Sequence, residues 1–122
     1  MVAEQQSNNS SFPLLQQAIQ ELYEYFVGMR CTFTIPIELN GTEFQKKVWK
    51  ELQSIPYGQT ATYGEIAKRI GYPKASRAVG GACNKNKIVI VIPCHRVVGT
   101  NGKLVGFALG MDVKRQLLAI EQ

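Results

Sequence analysis

The chain has 122 residues, 45% of them apolar and 19% charged, a length that suits one compact domain and a composition that excludes a disordered chain. Its longest apolar run, Ile88 to Pro93, is far short of the roughly 20 residues of a membrane span, and the opening MVAEQQSNNSS lacks a signal-peptide core. The formal charge of +5 is uneven: residues 1–43 carry one Arg against five Glu, and residues 44–122 carry thirteen Lys and Arg against four Asp and Glu. The second part is built to meet an anion, and nucleic acid is the main functional candidate.

Residues 1–11 are polar and read as a disordered leader. Leu15, Ala18, Ile19, Leu22 and Phe26 then recur at helical spacing behind Pro13, with Gly28 placed to end the helix. Phe33, Ile35, Ile37 and Leu39 alternate with mostly polar residues, so residues 31–39 read as extended. Pro36 confines them to a sheet edge or an isolated arm.

Asn40-Gly41 reads as a turn, and Thr42 with Gln45 as a capping box opening a helix with Phe44, Val48, Trp49 and Leu52 on its apolar face. Ile55-Pro56-Tyr57-Gly58 breaks it. A second capping box, Thr62 to Glu65, opens a helix with Tyr63, Ile66, Ala67 and Ile70 on one face, closed by Gly71. Ala75, Ala78, Val79 and Ala82 mark one face of a further helix ending near Asn84, and the pair suggests a helix-turn-helix.

On the outer face of that last helix Lys74, Arg77, Gly81 and Lys85 follow at spacings of three or four, so the face is basic and low. Glycine costs about 1 kcal/mol inside a helix, so Gly80-Gly81 implies close approach of a DNA backbone or a neighbouring helix. The basic flanks favour DNA. Lys87 to Ile92 is a β-branched run that predicts a buried strand or extended core segment delivering Pro93-Cys94-His95-Arg96. Asn101-Gly102 predicts a hairpin between residues 96–98 and 103–105, and a final helix over about 112–121 packs Val113, Leu117 and Ile120.

Three cysteines with no Cys-x-x-Cys spacing, beside a single His, support neither a zinc site nor a disulfide framework. Cys31 and Cys83 read as packing residues. Cys94 differs, because a thiol attacks only as thiolate and His95 and Arg96 stand beside it. Neighbours on an extended segment point opposite ways, so a water between Cys94 and His95 would relay the proton.

Ile92-Pro93-Cys94-His95-Arg96-Val97 resembles the active-site motif of the O6-alkylguanine-DNA alkyltransferases. The resemblance runs from about Phe44 to Glu121, through Pro56-Tyr57-Gly58, Thr62-Tyr63 and Lys74-Ala75-Ser76-Arg77-Ala78-Val79-Gly80. It implies a mainly α fold with a small β element, a winged helix-turn-helix-like domain at 42–122. A helix and extended arm at 12–41, left from a reduced N-terminal domain, and the leader at 1–11 precede it.

The resemblance further implies double-stranded DNA bearing alkylated bases as partner, bound through the minor groove, a monomer, and no cofactor. The damaged nucleotide is flipped out and its alkyl group moves irreversibly to Cys94. His95 takes the thiol proton and is oriented by Glu121, and Asn86 ties the active-site loop to the helix-turn-helix. Arg77 fills the gap left by the flipped base, and Tyr63 acts on the neighbouring phosphate and the departing guanine. Lys74, Ala78, Gly80, Gly81 and Arg96 belong to the DNA-facing set; Pro93, Val97, Phe107, Ala108 and Leu109 belong to the substrate pocket.

Phe107 stands where the family often has Tyr, which removes a phenol able to bond the flipped base, and Leu109 stands where Gly is common, which predicts a narrowed entrance. On their own, Tyr63 reads as a packing residue, Asn86 as a turn former, Glu121 as an exposed terminal carboxylate and His95 as a surface residue; the ordered set assigns them to the site. Three other readings stand beside transfer: a lesion-binding protein without transfer, which would lack the acceptor cysteine, a helix-turn-helix regulator, and a Cys-His hydrolase. The expected location is cytoplasmic, nucleoid-associated in a bacterium or nuclear in a eukaryote.

Overall fold

The computed structural model describes residues 12–107 and 109–122; the expected leader at 1–11 and Ala108 lie outside them. Two compact units divide the chain, one ending at Ile37 and one running from Glu38 to Gln122.

In the first unit α1 spans Phe12–Phe26. Gly28, at φ +81°, lets the chain reverse, and Met29 N then donates to Glu24 O at 2.7 Å, satisfying a carbonyl that the helix leaves open. The helix buries Glu21 and Tyr25, whereas the predicted apolar face is largely outside: Leu15, Ile19 and Phe26 are 39%, 60% and 50% exposed. Glu21 is the reason. Its Oε1 accepts from Thr34 N at 2.9 Å and Ile35 N at 3.3 Å, and Gln17 and the Thr34 hydroxyl donate to Oε2, so the helix docks on the extended segment through a carboxylate. Burial opposes the charge of Glu21, but these hydrogen bonds together outweigh it and hold its pKa down at about 2. Residues 31–39 form no strand; Phe33, Ile35, Ile37 and Leu39 are half-buried between exposed neighbours, and Cys31, expected to pack, is exposed.

The second unit opens with α2, Glu43–Leu52, capped by Thr42 and Gln45 in the reciprocal bonds of a capping box. After the Ile55 to Gly58 loop come β1, Ala61–Thr62, and α3, Tyr63–Arg69, capped in the same way by Thr62 and Glu65. Gly71, at φ +90°, turns the chain, and α4 follows at Ser76–Asn84. The three helices enclose a core of Val48, Trp49, Leu52, Ile66, Ala67, Val79, Ala82 and Cys83. Trp49 Nε1 donates to Ala82 O at 2.9 Å, so the indole is anchored on α4 as well as packed. Ala78, expected on the core face, is exposed instead; the buried stripe of α4 is Val79, Ala82 and Cys83.

The predicted strand over 87–92 does not form. The segment folds into a tight turn in which Ile92 N donates to Ile88 O at 2.9 Å, with Ile90 at φ +75°, and only Ile92 is buried. A positive φ is costly for a β-branched residue, so the surrounding contacts must hold this bend. A short 3₁₀ turn at Cys94–Arg96 leads into β2, Val97–Val98. The turn at Asn101-Gly102 forms with both residues at positive φ, as predicted, but residues 103–105 do not pair as a strand. β2 instead lies parallel to β1, Ala61 against Val97 and Thr62 against Val98. The last helix, α5, spans Met111–Ile120 with Leu117 and Lys114 buried. The fold is thus mainly helical with one two-stranded sheet. Among the described residues no helix is long and apolar enough to cross a membrane.

Candidate active site

Cys94 begins the 3₁₀ turn and is 3% exposed. Asn86 holds it: Nδ2 donates to Cys94 Sγ at 3.3 Å and to Ile92 O at 2.9 Å, while Oδ1 accepts from Ile88 N at 2.8 Å. One side chain therefore fixes both the bend and the sulfur, and its amide orientation follows from those partners. Burial pushes the Cys94 thiol above its ordinary pKa, opposed by the Asn86 hydrogen bond and the charge of Lys114. At neutral pH the sulfur rests as a thiol, and attack requires a base.

His95 is fully buried, with Nε2 2.7 Å from Glu121 Oε2. A carboxylate can only accept, so the neutral ring carries its proton on Nε2 and leaves the lone pair on Nδ1. Nδ1 is buried with no hydrogen-bond partner among the described residues. It is the basic atom of the site.

Glu121 caps the end of α5 and is itself buried. Beyond His95 it accepts from Arg96 Nε at 2.9 Å, Arg96 Nη2 at 3.0 Å and Gly58 N at 3.3 Å. Arg96 Nη1 donates to Ile55 O at 2.7 Å. Sequence reasoning set Arg96 among the DNA-facing residues; it is 6% exposed and its guanidinium is committed to Glu121 and the Ile55 carbonyl. The correction has a physical cause, because a buried carboxylate needs a cation and Arg meets it with two parallel donors. Gly58, at φ +82°, lets the Ile55 to Gly58 loop close on this helix end; a Cβ there would lie 3.1 Å from Glu121 O. Tyr57 adds a hydrogen bond from its hydroxyl to Ile120 O at 3.1 Å.

Lys114 was not singled out in the sequence. It is completely buried, and Nζ donates to the carbonyls of Val97 at 2.6 Å, Val105 at 3.1 Å and Gly106 at 3.2 Å. Burial lowers its pKa, and Cys83 and Cys94 raise it. The available signal was its register: Lys114, Leu117 and Glu121 recur on one helical face.

Tyr63 opens α3 and donates its hydroxyl to Val105 O at 3.2 Å. Burial, with the two cysteines Cys83 and Cys94, pushes its pKa up to about 12, so it remains a phenol with a proton to give. It also lines an open groove of about 590 Å³ together with Ser76, Arg77, Gly80, Gly81 and Asn84. Cys94 is not in the wall of this groove; Tyr63 lines it and is also within the electrostatic influence of Cys94. Lys74, Arg77 and Ala78 are exposed. A Cβ on Gly80 would stand 3.8 Å from the Tyr63 ring, and one on Gly81 would meet nothing within 4 Å. Nothing among the described residues therefore requires Gly81 to be glycine.

Of the expected pocket residues, Pro93 and Val97 are buried, Val97 at 0%, and they back the site rather than line an opening. Phe107 is half-buried and Leu109 49% exposed. Among the described residues no group of three or more His, Cys, Asp or Glu is placed to hold a metal ion.

Residues 43–122 match the family described as 6-O-methylguanine DNA methyltransferase, DNA binding domain. The chain belongs to this family. A methylated-DNA–protein-cysteine methyltransferase of Methanosarcina acetivorans is 57% identical over 106 residues, 87% of this chain and 68% of that protein. One from Mycolicibacterium paratuberculosis is 53% identical over 105 residues, 86% of this chain and 64% of that protein. In three dimensions the chain is similar to Mycobacterium tuberculosis OGT in complex with DNA, with a TM-score of 0.86 at 50% identity over 87% of this chain and 66% of that one. It is also similar to S. pombe Atl1 in complex with damaged DNA containing O6-carboxymethylguanine, with a TM-score of 0.60 at 32% identity over 68% of this chain and 79% of that one. The chain thus spans about two thirds of the length of its methyltransferase relatives.

Proposed function

We propose that this chain repairs DNA by direct transfer of the alkyl group of O6-alkylguanine to Cys94. The observation that carries the reading is the chain of bonds Asn86 to Cys94, and His95 to Glu121 to Arg96, with His95 Nδ1 left as the free base. The methyltransferase domain is residues 42–122, behind a helix and arm at 12–41. Double-stranded DNA docks with α4 in the minor groove, Arg77 entering the stack as the damaged base is flipped out. Lys74 meets phosphate, and Ala78, Gly80 and Gly81 keep the helix slim.

The cysteine proton passes through a water to His95 Nδ1, and the positive charge that this creates is held by Glu121. Sγ attacks the alkyl carbon in line, the bond from that carbon to O6 breaks, and the departing guanine anion accepts a hydrogen bond from the Tyr63 phenol and regains through water the proton that His95 took from the thiol. The product thioether has no group to hydrolyse it, so each molecule reacts once. No cofactor enters, because the alkyl group moves directly from base to sulfur. Phe107 and Leu109 belong to the pocket entrance, and Leu109 disfavours bulky alkyl groups. Reaction with benzylguanine as fast as with methylguanine would refute that last point. The site of action is the cytoplasm or, for a nuclear genome, the nucleus.

Intact mass spectrometry after incubation with a duplex containing O6-methylguanine tests the reading. A gain of one methyl group on the Cys94 peptide supports it. Tight binding to the lesion with no mass gain would favour a lesion-binding role instead, a reading that the presence of Cys94 disfavours.

A further inference from the structure

The turn that joins α3 to α4 carries Tyr72, a large ring left 42% exposed. Its backbone is fixed on both sides: Tyr72 N donates to Ala67 O and Ala75 N donates to Tyr72 O, each at 2.9 Å, and Pro73 follows. The ring is fixed as well. Its centre lies 5.6 Å from that of Phe44 and 5.4 Å from Lys47 Nζ, so an aromatic of α2 backs it and a cation of α2 stands over it. Its hydroxyl has no hydrogen-bond partner among the described residues.

The cations around this ring differ in what they are free to meet. Lys46 pairs with Glu43 at 3.3 Å and Arg69 reaches Glu51 at 3.8 Å, whereas Lys47 and Lys74, both exposed, pair with no carboxylate among the described residues. A rigid ring with an open hydroxyl, flanked by two unpaired cations, suits a run of phosphates. The strip is continuous with the groove face of α4, because Tyr72 is bonded to Ala75 at the start of that helix and Ser76 and Arg77 line the groove. At 1.5 Å per residue α4 is only about 13 Å long, about four base-pair steps, so backbone contacts beyond its end add to the hold on the duplex. We propose that Lys47 and Tyr72 carry the DNA interface past the N-terminal end of α4, Lys47 neutralising one phosphate and the Tyr72 hydroxyl donating to a neighbouring one. The inference rests on the docking of α4 against duplex DNA. Both contacts meet the backbone alone, so they hold the duplex while a base leaves the stack and add no sequence preference.

Fluorescence anisotropy on a duplex containing O6-methylguanine tests the proposal, with the full 122-residue chain carrying Cys94→Ala so that the lesion stays in place. Each cation that meets a phosphate contributes about 0.9 to the slope of log affinity against log salt. Lys47→Gln in that background is therefore expected to bind about tenfold more weakly at about 50 mM salt and only about threefold more weakly at about 200 mM, with Lys47→Arg matching the parent at both. Tyr72→Phe keeps the ring under Lys47 and removes only the hydroxyl. It is expected to lose about tenfold at both salt concentrations, because a neutral donor displaces no counterion. Parental affinity and slope in either Lys47→Gln or Tyr72→Phe would reduce the pair to packing of the turn and overturn the proposal. Arg77→Ala, measured alongside, separates that result from failure of the reading beneath it. Weakened binding by Arg77→Ala with Lys47→Gln and Tyr72→Phe silent overturns the strip alone, whereas a parent that binds no DNA overturns both.

Discussion

Arg96 grips Glu121 through two parallel bonds, Nε to Oε1 at 2.9 Å and Nη2 to Oε2 at 3.0 Å, with both side chains buried. The pair joins the turn that carries the thiol to the residue that caps the C-terminal helix, and it balances the carboxylate that orients His95. Removing one partner of such a pair leaves a buried charge unpaired, at a cost of about 3–5 kcal/mol. Arg96→Ala is therefore expected to lower unfolding stability by that amount in denaturant titration. Arg77→Ala is expected to stay within about 0.5 kcal/mol of wild type, and to weaken DNA binding instead. An Arg96→Ala protein of normal stability and poor DNA affinity would restore the DNA-contact reading of Arg96.

Asn86 is the only described side chain bonded to the sulfur, and the same amide serves Ile92 O and Ile88 N. Asn86→Ala removes the hydrogen bond that favours the thiolate and leaves those backbone groups without it, at about 1–3 kcal/mol each. Methyl transfer is expected to slow by tenfold or more, with its pH profile displaced to higher pH. Single-turnover rates measured across pH separate the two effects: a slower reaction with an unmoved profile would assign Asn86 a purely structural role.

Gly81 offers a stability change opposite in sign to its functional change. With nothing within 4 Å of its missing Cβ, alanine fits, and the helix gains about 1 kcal/mol. Gly81→Ala is expected to melt higher and to bind DNA less tightly, because the methyl group stands on the face that approaches the duplex. Unchanged binding with raised stability would mean that the duplex does not come close at Gly81.

What the sequence disclosed here was mostly what neighbours in the chain decide. The capping boxes at Thr42 and Thr62 and the turn at Asn101-Gly102 lie where local chemistry predicts them. The run Lys87 to Ile92 misleads because β-branched residues favour strands, whereas here Asn86 satisfies the backbone of a bend and no neighbouring strand is offered. Arg96 and Lys114 were missed as interior residues because charge is ordinarily a surface signal; only the fold brings Glu121 and three carbonyls to them. Glu21 deceives in the same way, its carboxylate turning inward and the apolar stripe outward. Cys94, His95 and Glu121 were legible as a set by family resemblance, but the tautomer that leaves Nδ1 basic is visible only in the geometry.

Burial also sets an alkaline limit on the protein. Cys83 is pushed up from 9.0 to about 12 by burial, with Cys94 adding to the shift and Lys114 opposing it. Between those values the unfolded chain has lost the thiol proton and the folded chain keeps it, so stability falls as pH rises through this window. Cys83→Ala is expected to flatten the fall in melting temperature above pH 9, while Tyr63, pushed up to about 12 from 10.0, keeps part of it. An equally steep decline in Cys83→Ala would show that other groups govern it.

The most direct measurement is the mass of the protein after reaction with duplex DNA containing O6-methylguanine, compared between wild type and Cys94→Ala. The wild type is expected to gain one methyl group per molecule, located on Cys94, with the lesion converted to guanine and no further turnover on adding fresh DNA. Cys94→Ala is expected to bind the same DNA and gain nothing. A wild type that binds the lesion and stays at its original mass, or one that carries the methyl group on Cys83, would contradict the account.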